Sequence, residues 1–162
     1  ENAYYIITPT ALTPKEEISE FRDFVLSLGA IPLILDYKIH DYSTAAISHL
    51  PHMIAYSLVN LIHQIDDDKE TMKTIAAGGF KDITRIASSS PVMWQNICAS
   101  NREPLLSLMD QYLALLTKLR GYIDSSNEQA LLSFFQQAKD YRDSITLPSV
   151  KSPTVYLSLI HI

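Results

Sequence analysis

Two hydrophobic periods run along this chain, and the change between them falls near Asp36. Before it, Tyr4-Tyr5-Ile6-Ile7-Thr8 is aromatic and β-branched and predicts a strand ended by Pro9. Thr13-Pro14-Lys15-Glu16 predicts a helix start, with Thr13 as N-cap, Pro14 in the first turn and Glu16 completing a capping box. Ile18, Phe21, Val25 and Leu28 make its apolar stripe, and Gly29 ends it. Ile31-Pro32-Leu33-Ile34-Leu35 predicts a second strand, so residues 4–35 read as one strand–helix–strand unit of the α/β kind. Two parallel strands alone leave both sheet faces bare, so the rest of the sheet is expected on sequence preceding Glu1.

From His40 to about Ile145 every segment carries the helical period. One helix is predicted over residues 41–65, up to the polar break Asp66-Asp67-Asp68. A second covers 70–77, then Gly78-Gly79 precedes a short helix over 80–87. Ser90 before Pro91 predicts an N-cap and first-turn proline, opening a helix through Trp94 and Cys98. Asn101 is read as the cap of a helix reaching Ile123, and Ser125 with Glu128 as a capping box for the last helix, through Phe134 and Tyr141. Leu147-Pro148-Ser149 reads as an exit linker. The fold class is therefore mainly α, a strand–helix–strand unit followed by an all-α domain. The helix after Asn101 bears one stripe of Leu105, Leu108, Met109, Tyr112, Leu116, Leu119 and Ile123, and a second of Leu106, Leu113 and Leu115. A helix with two apolar faces packs against two neighbours, and a two-fold homodimer is the expectation; a core helix of a single-chain bundle is the alternative.

Composition narrows the function classes. Of 162 residues, 47% are hydrophobic and 19% charged, a globular profile, and only four are glycine, which disfavours a turn-rich all-β fold. A net charge of −5 argues against nucleic-acid binding through phosphates, though one local arginine can still hold a small carboxylate. The single Cys98 excludes an intrachain disulfide and a CxxC metal pair, which fits a reducing compartment. The longest apolar run, Met53–Ile62, is too short to span a bilayer, so no membrane role is expected. The chain opens at Glu1 without methionine or a secretory signal and is expected to be a piece of something longer. Its last residues, LSLIHI, resemble a translated transposon adapter; the native frame is expected to end near Tyr156, a strand of a further domain being the alternative.

Two clusters could carry chemistry. His49, His52, Tyr56, Asn60 and His63 fall at spacings of 3, 4, 4 and 3, one face of an otherwise apolar helix. Buried polar groups need partners, so such a ribbon meets carbonyls, water or a ligand. Pro51 lacks the N–H that would bond the Ile47 carbonyl and is expected to kink the helix, freeing an acceptor near both histidines. A proline-kinked core helix whose histidines bond neighbouring carbonyls explains the same pattern. A metal site is not expected, because no carboxylate or cysteine stands at ligand spacing. In the second cluster, Gly78-Gly79-Phe80-Lys81-Asp82-Ile83-Thr84-Arg85, paired glycines permit close approach of a ligand or another chain, and Lys81 and Arg85 share a helix side. Arginine can grip a carboxylate with two bonds. A glycine turn with a local Asp82–Arg85 pair is the alternative. The spacing is neither a P-loop nor a dinucleotide fingerprint.

Three stretches, HDYSTAAISHLPHMIAYSLVN, AAGGFKDITRIASSSPVMWQNIC and SNREPLL, occur in that order after the opening ENAYYIITPT. Together they resemble the C-terminal half of a bacterial prephenate dehydrogenase, over residues 1 to about 145. The resemblance implies oxidative decarboxylation of prephenate to 4-hydroxyphenylpyruvate with NAD or NADP, in cytoplasmic tyrosine biosynthesis. It implies that residues 1–36 end a Rossmann domain that binds most of the nucleotide, that 37–147 form a helical prephenate-binding and dimerisation domain, and that 148–162 are linker and tail. The family's catalytic histidine and assisting serine fall upstream, so no catalytic residue is assigned and the piece alone is expected to be inactive. Arg85 matches the arginine that holds a substrate carboxylate. His52, with Ser48 and His49, matches the histidine motif lining the pocket, and Trp94 joins this substrate-binding set. Gly78, Asp82 and Trp94 match positions around the pocket mouth, where a dimer partner can contribute, and Gly79 and Lys81 are expected at the same mouth and dimer edge. An arogenate dehydrogenase and a non-catalytic dimerisation module are the alternatives. On this reading Pro51 bends the helix so that His52, supported by His49, faces a dicarboxylate opposite Arg85.

Overall fold

The computed structural model describes residues 3–146; the exit linker and tail expectations fall outside them. β1 (Tyr4–Ile7) and β2 (Ile31–Ile34) pair in parallel, Tyr4 opposite Ile31 and Ile7 opposite Ile34. α1 (Lys15–Ser27) connects them, and Gly29 beyond it takes φ 75°, the left-handed value glycine reaches without a Cβ clash. The expected capping box is not built. Thr13 Oγ1 instead accepts the Thr10 N–H at 3.1 Å, and no side chain caps α1. Val25 is the fully buried member of the α1 stripe, while Phe21 and Leu28 are exposed.

The helical part starts earlier than the apolar pattern indicated. Asp36 Oδ1 accepts from Lys38 N at 2.9 Å and its carbonyl from His40 N at 3.0 Å, the N-cap role, so α2 runs Tyr37–Thr44. A π-helical turn, Ala45–His49, passes into α3 (Leu50–Ile65). Here Leu50 N–H reaches back five residues to the Ala45 carbonyl. Proline in a helix interior removes a bond and pushes the preceding carbonyl aside, costing about 3 kcal/mol; a wider turn just before Pro51 absorbs that displacement without ending the helix. The helical run Tyr37–Ile65 spans 29 residues, long and apolar enough by length and composition to cross a membrane, as core helices of soluble folds also are.

α4 (Thr71–Ile75), α5 (Gly78–Thr84), a 3₁₀ turn (Arg85–Ser88), α6 (Pro91–Ser100), α7 (Arg102–Asp124) and α8 (Glu128–Thr146) follow. The break before α4 is a double aspartate cap. Asp66 accepts from Met72 N and Lys73 N, and Asp67 from Lys69 N, Thr71 N and the Thr71 hydroxyl. The Thr71 amide first, then its hydroxyl, hold the Asp67 carboxyl below its ordinary 3.8. A carboxylate lowered on folding stabilises above its unfolded value, and that stability goes as pH falls through the folded one. Asp67→Asn is therefore expected to flatten the acid limb of the urea midpoint plotted against pH, below pH 3.8; an unchanged limb would show that the cap contributes nothing.

Ser90 caps α6 as expected, accepting from Met93 N. One other expected cap is replaced. Ser125 Oγ donates back to the Gly121 carbonyl, and Asn127 Oδ1 takes the Ala130 N–H at 3.0 Å to cap α8. Asn101 precedes α7, and its amide nitrogen donates to the Asp41 carbonyl at 2.8 Å.

The described residues form two compact units: Asp41–Leu113, and residues 3–40 with 114–146. On α7, Leu105 is buried, while Leu106, Leu113, Leu115 and Leu116 are exposed. On α8, Leu132, Phe135, Tyr141 and Ile145 are exposed as well.

Candidate functional site

The site lies within the unit Asp41–Leu113 and is organised by Trp94 on α6, which is 6% exposed. Three members of the polar ribbon meet its indole. His52 stacks on it at 3.8 Å between ring centroids and 27° between planes. His49 stands edge-on at 6.0 Å and 80°, and Tyr56 at 6.5 Å and 67°. Spacings of 3 and 4 residues place these rings one above another on α3 and the turn before it, so one indole serves all three. The indole Nε1–H is buried and has no hydrogen-bond partner among the described residues.

Each histidine is held by a carbonyl or amide. His52 Nδ1 lies 2.9 Å from the Ser48 carbonyl. A carbonyl only accepts, so His52 carries its proton on Nδ1 and keeps Nε2 as its other polar atom. Ser48 thus contributes its backbone oxygen to this contact. His49, 4% exposed, has Nδ1 at 3.3 Å from Asn101 Nδ2, and the same amide nitrogen donates to the Asp41 carbonyl at 2.8 Å. Asn101 and Asp41 were not among the expected site residues; Asn-before-helix is the only local signal Asn101 gives, and it points to capping.

Arg85 opens the 3₁₀ turn, which packs against α3. Tyr56 fastens the end of that turn, donating its hydroxyl to the Ser89 carbonyl at 2.8 Å. Arg85 is exposed and makes no ion pair among the described residues, so the local Asp82–Arg85 pair allowed by the sequence is absent from them. Lys81 and Asp82 lie on the exposed side of α5. Gly78 and Gly79 begin that helix instead of preceding it, and among the described residues a Cβ on either would meet nothing within 4 Å. Cys98 Sγ sits 3.6 Å from Met53 Sδ, a packing contact. Among the described residues no three His, Cys, Asp or Glu side chains gather as metal ligands.

A cavity of about 550 Å³ lies in the other unit, between the end of β1 and α1, and includes Glu17 and Glu20 in its wall. Two carboxylates and no cation suit an anionic ligand poorly, and none of the candidate residues line it.

Fold and site together define a helical domain with an internal histidine–tryptophan cluster, following a parallel strand–helix–strand unit. The chain belongs to the prephenate dehydrogenase family: the family model for "Prephenate dehydrogenase, dimerization domain" matches residues 36–137. It is 39% identical over 147 residues to a prephenate dehydrogenase of Bacillus subtilis (strain 168), covering 91% of this chain and 40% of that protein. It superposes on the crystal structure of prephenate dehydrogenase from A. aeolicus in complex with hydroxyphenyl propionate and NAD+ at a TM-score of 0.82 and 30% identity, covering 88% of this chain and 50% of that one. It also superposes on a Synechocystis arogenate dehydrogenase at 0.84 and 27%, covering 90% and 53%. The chain thus spans about half, or less, of the relatives it matches.

Proposed function

We propose that this chain is the substrate-binding and dimerising part of an NAD(P)-dependent prephenate dehydrogenase acting in cytoplasmic tyrosine biosynthesis. The observation that carries the reading is Arg85, a cation without an ion partner among the described residues, on the turn that Tyr56 fastens against the helix bearing the His52–Trp94 stack. Prephenate carries two carboxylates. Arg85 would grip one through its guanidinium fork, and His52 Nε2 would meet the ligand's polar edge. Ser48 and His49 hold this wall in place, and Trp94 backs it. Gly78, Gly79, Lys81 and Asp82 would form the mouth, where open space beside the glycines leaves room for a partner subunit.

Residues 1–36 would close a nucleotide domain, 37–147 form the helical domain, and 148–162 follow as linker and tail. β1 runs into Thr8-Pro9, so the described residues contain no glycine-rich strand-to-helix turn to cradle a dinucleotide. NAD or NADP, which would accept the hydride, would be held mainly by preceding sequence. This chain's own share is to bind and orient the substrate. Homodimerisation is supported by the dimerization-domain match and by the bare leucines and phenylalanine on α7 and α8. No membrane or nucleic-acid partner is proposed.

Likeness to an arogenate dehydrogenase favours a second substrate, with an amine where prephenate has a keto group. Assaying the full-length enzyme with both substrates and both nucleotides decides. The expected result is turnover of prephenate with release of carbon dioxide; turnover of arogenate alone would replace the proposal, and turnover of neither would leave a dimerisation module.

A further inference from the structure

We propose that Asn101 is a positioning residue of this site: its amide holds the buried His49 ring as the neutral tautomer protonated on Nε2, edge-on to Trp94. The Asp41 carbonyl can only accept, so the Asn101 side-chain atom 2.8 Å from it is the NH2 nitrogen. That nitrogen has a second hydrogen, and His49 Nδ1 lies 3.3 Å away. Facing a donor, Nδ1 acts as the acceptor, which leaves the ring proton on Nε2. Protonating both ring nitrogens would set Nδ1–H against N–H in a place where His49 is 4% exposed.

The two histidines on one helical face are thereby given opposite tautomers. His52 donates from Nδ1 to the Ser48 carbonyl, and His49 accepts at Nδ1 from Asn101. The difference comes from the partner each ring finds, a carbonyl four residues back for one and a side chain 52 residues away for the other. The His49 ring then stands T-shaped to the indole whose stack with His52 forms the site wall. His49 has further contacts; Asn101 is a side chain seen at its Nδ1.

The test is nitrogen NMR of the imidazoles in the full chain, with the five histidines assigned by single His→Gln variants. His49 is expected to show an unprotonated Nδ1 and a protonated Nε2 at pH 7. A protonated Nδ1 in the unmodified protein would overturn the proposal, whatever any variant does. Asn101→Asp puts a carboxylate acceptor where the donor was and is expected to move the proton to Nδ1; an unchanged His49 pattern in a variant that still melts cooperatively would also overturn it. The consequence for binding rests on the proposed function: in the full-length enzyme Asn101→Asp should raise KM for prephenate several-fold and leave KM for the nucleotide alone. A moved proton with an unmoved KM would overturn the positioning role without touching the reading of the site, which Arg85 tests separately.

Discussion

Replacing Arg85 by alanine in the full-length enzyme is expected to raise KM for prephenate about 10- to 100-fold and to leave KM for the nucleotide unchanged. Hydrogen bonds to charged groups contribute roughly 1.5–3 kcal/mol, and each 1.4 kcal/mol is a factor of ten in binding. A carboxylate gripped by the guanidinium fork loses that whole interaction when the side chain is cut back. Arg85→Lys keeps the charge without the planar fork and should fall between the two. The structure supplies the control. Arg85 is exposed and has no ion partner among the described residues, so its removal should shift folding stability by less than about 0.5 kcal/mol. A binding loss without a stability loss separates a ligand contact from a packing role. Equal loss for prephenate and nucleotide, or no loss for either, would remove Arg85 from the substrate site.

Most helices were legible because apolar residues recur in them at a helical period, and the strand pair because β-branched and aromatic residues cluster there. What local pattern could not resolve was competition for a polar side chain. Thr13 has the spacing of an N-cap yet bonds Thr10, and Ser125 has it yet bonds the helix before it, leaving the cap to Asn127. Asp36 does cap, in a place that reads as a strand end. Pro51 announced a disturbance, but whether it becomes a kink or a π-helical turn depends on how the flanking residues pack. The site shows the same limit. Spacing put His49, His52 and Tyr56 on one face and Arg85 beside the paired glycines, and family resemblance gave Arg85 and Trp94 their expected roles. The indole's place at the centre of the cluster, and the turn of Asn101 toward Asp41 and His49, depend on contacts across some 40 to 60 residues of chain. No periodicity encodes those.

Trp94→Ala is expected to cost about 3–5 kcal/mol, the range for emptying a buried aromatic site. Domains are stable by only about 5–15 kcal/mol, so the variant should be marginal. Trp94 is 6% exposed, and His49, His52 and Tyr56 all rest on its ring, so little nearby can collapse into the space. Trp94→Phe behaves differently. It shrinks the ring but keeps an aromatic face for His52. It also removes an N–H that is buried without a partner among the described residues, a group whose desolvation costs roughly 1–3 kcal/mol. The two changes oppose each other, and phenylalanine should cost far less than alanine. Because Trp94 is the only tryptophan, unfolding of the variants has to be followed by circular dichroism in urea. In the unmodified protein its fluorescence reports this site alone. An alanine variant within about 0.5 kcal/mol of the parent would mean the cluster is not a packed core. A phenylalanine variant as damaged as alanine would mean the indole N–H has an acceptor in solution, and a ligand or partner subunit would be the place to look for it.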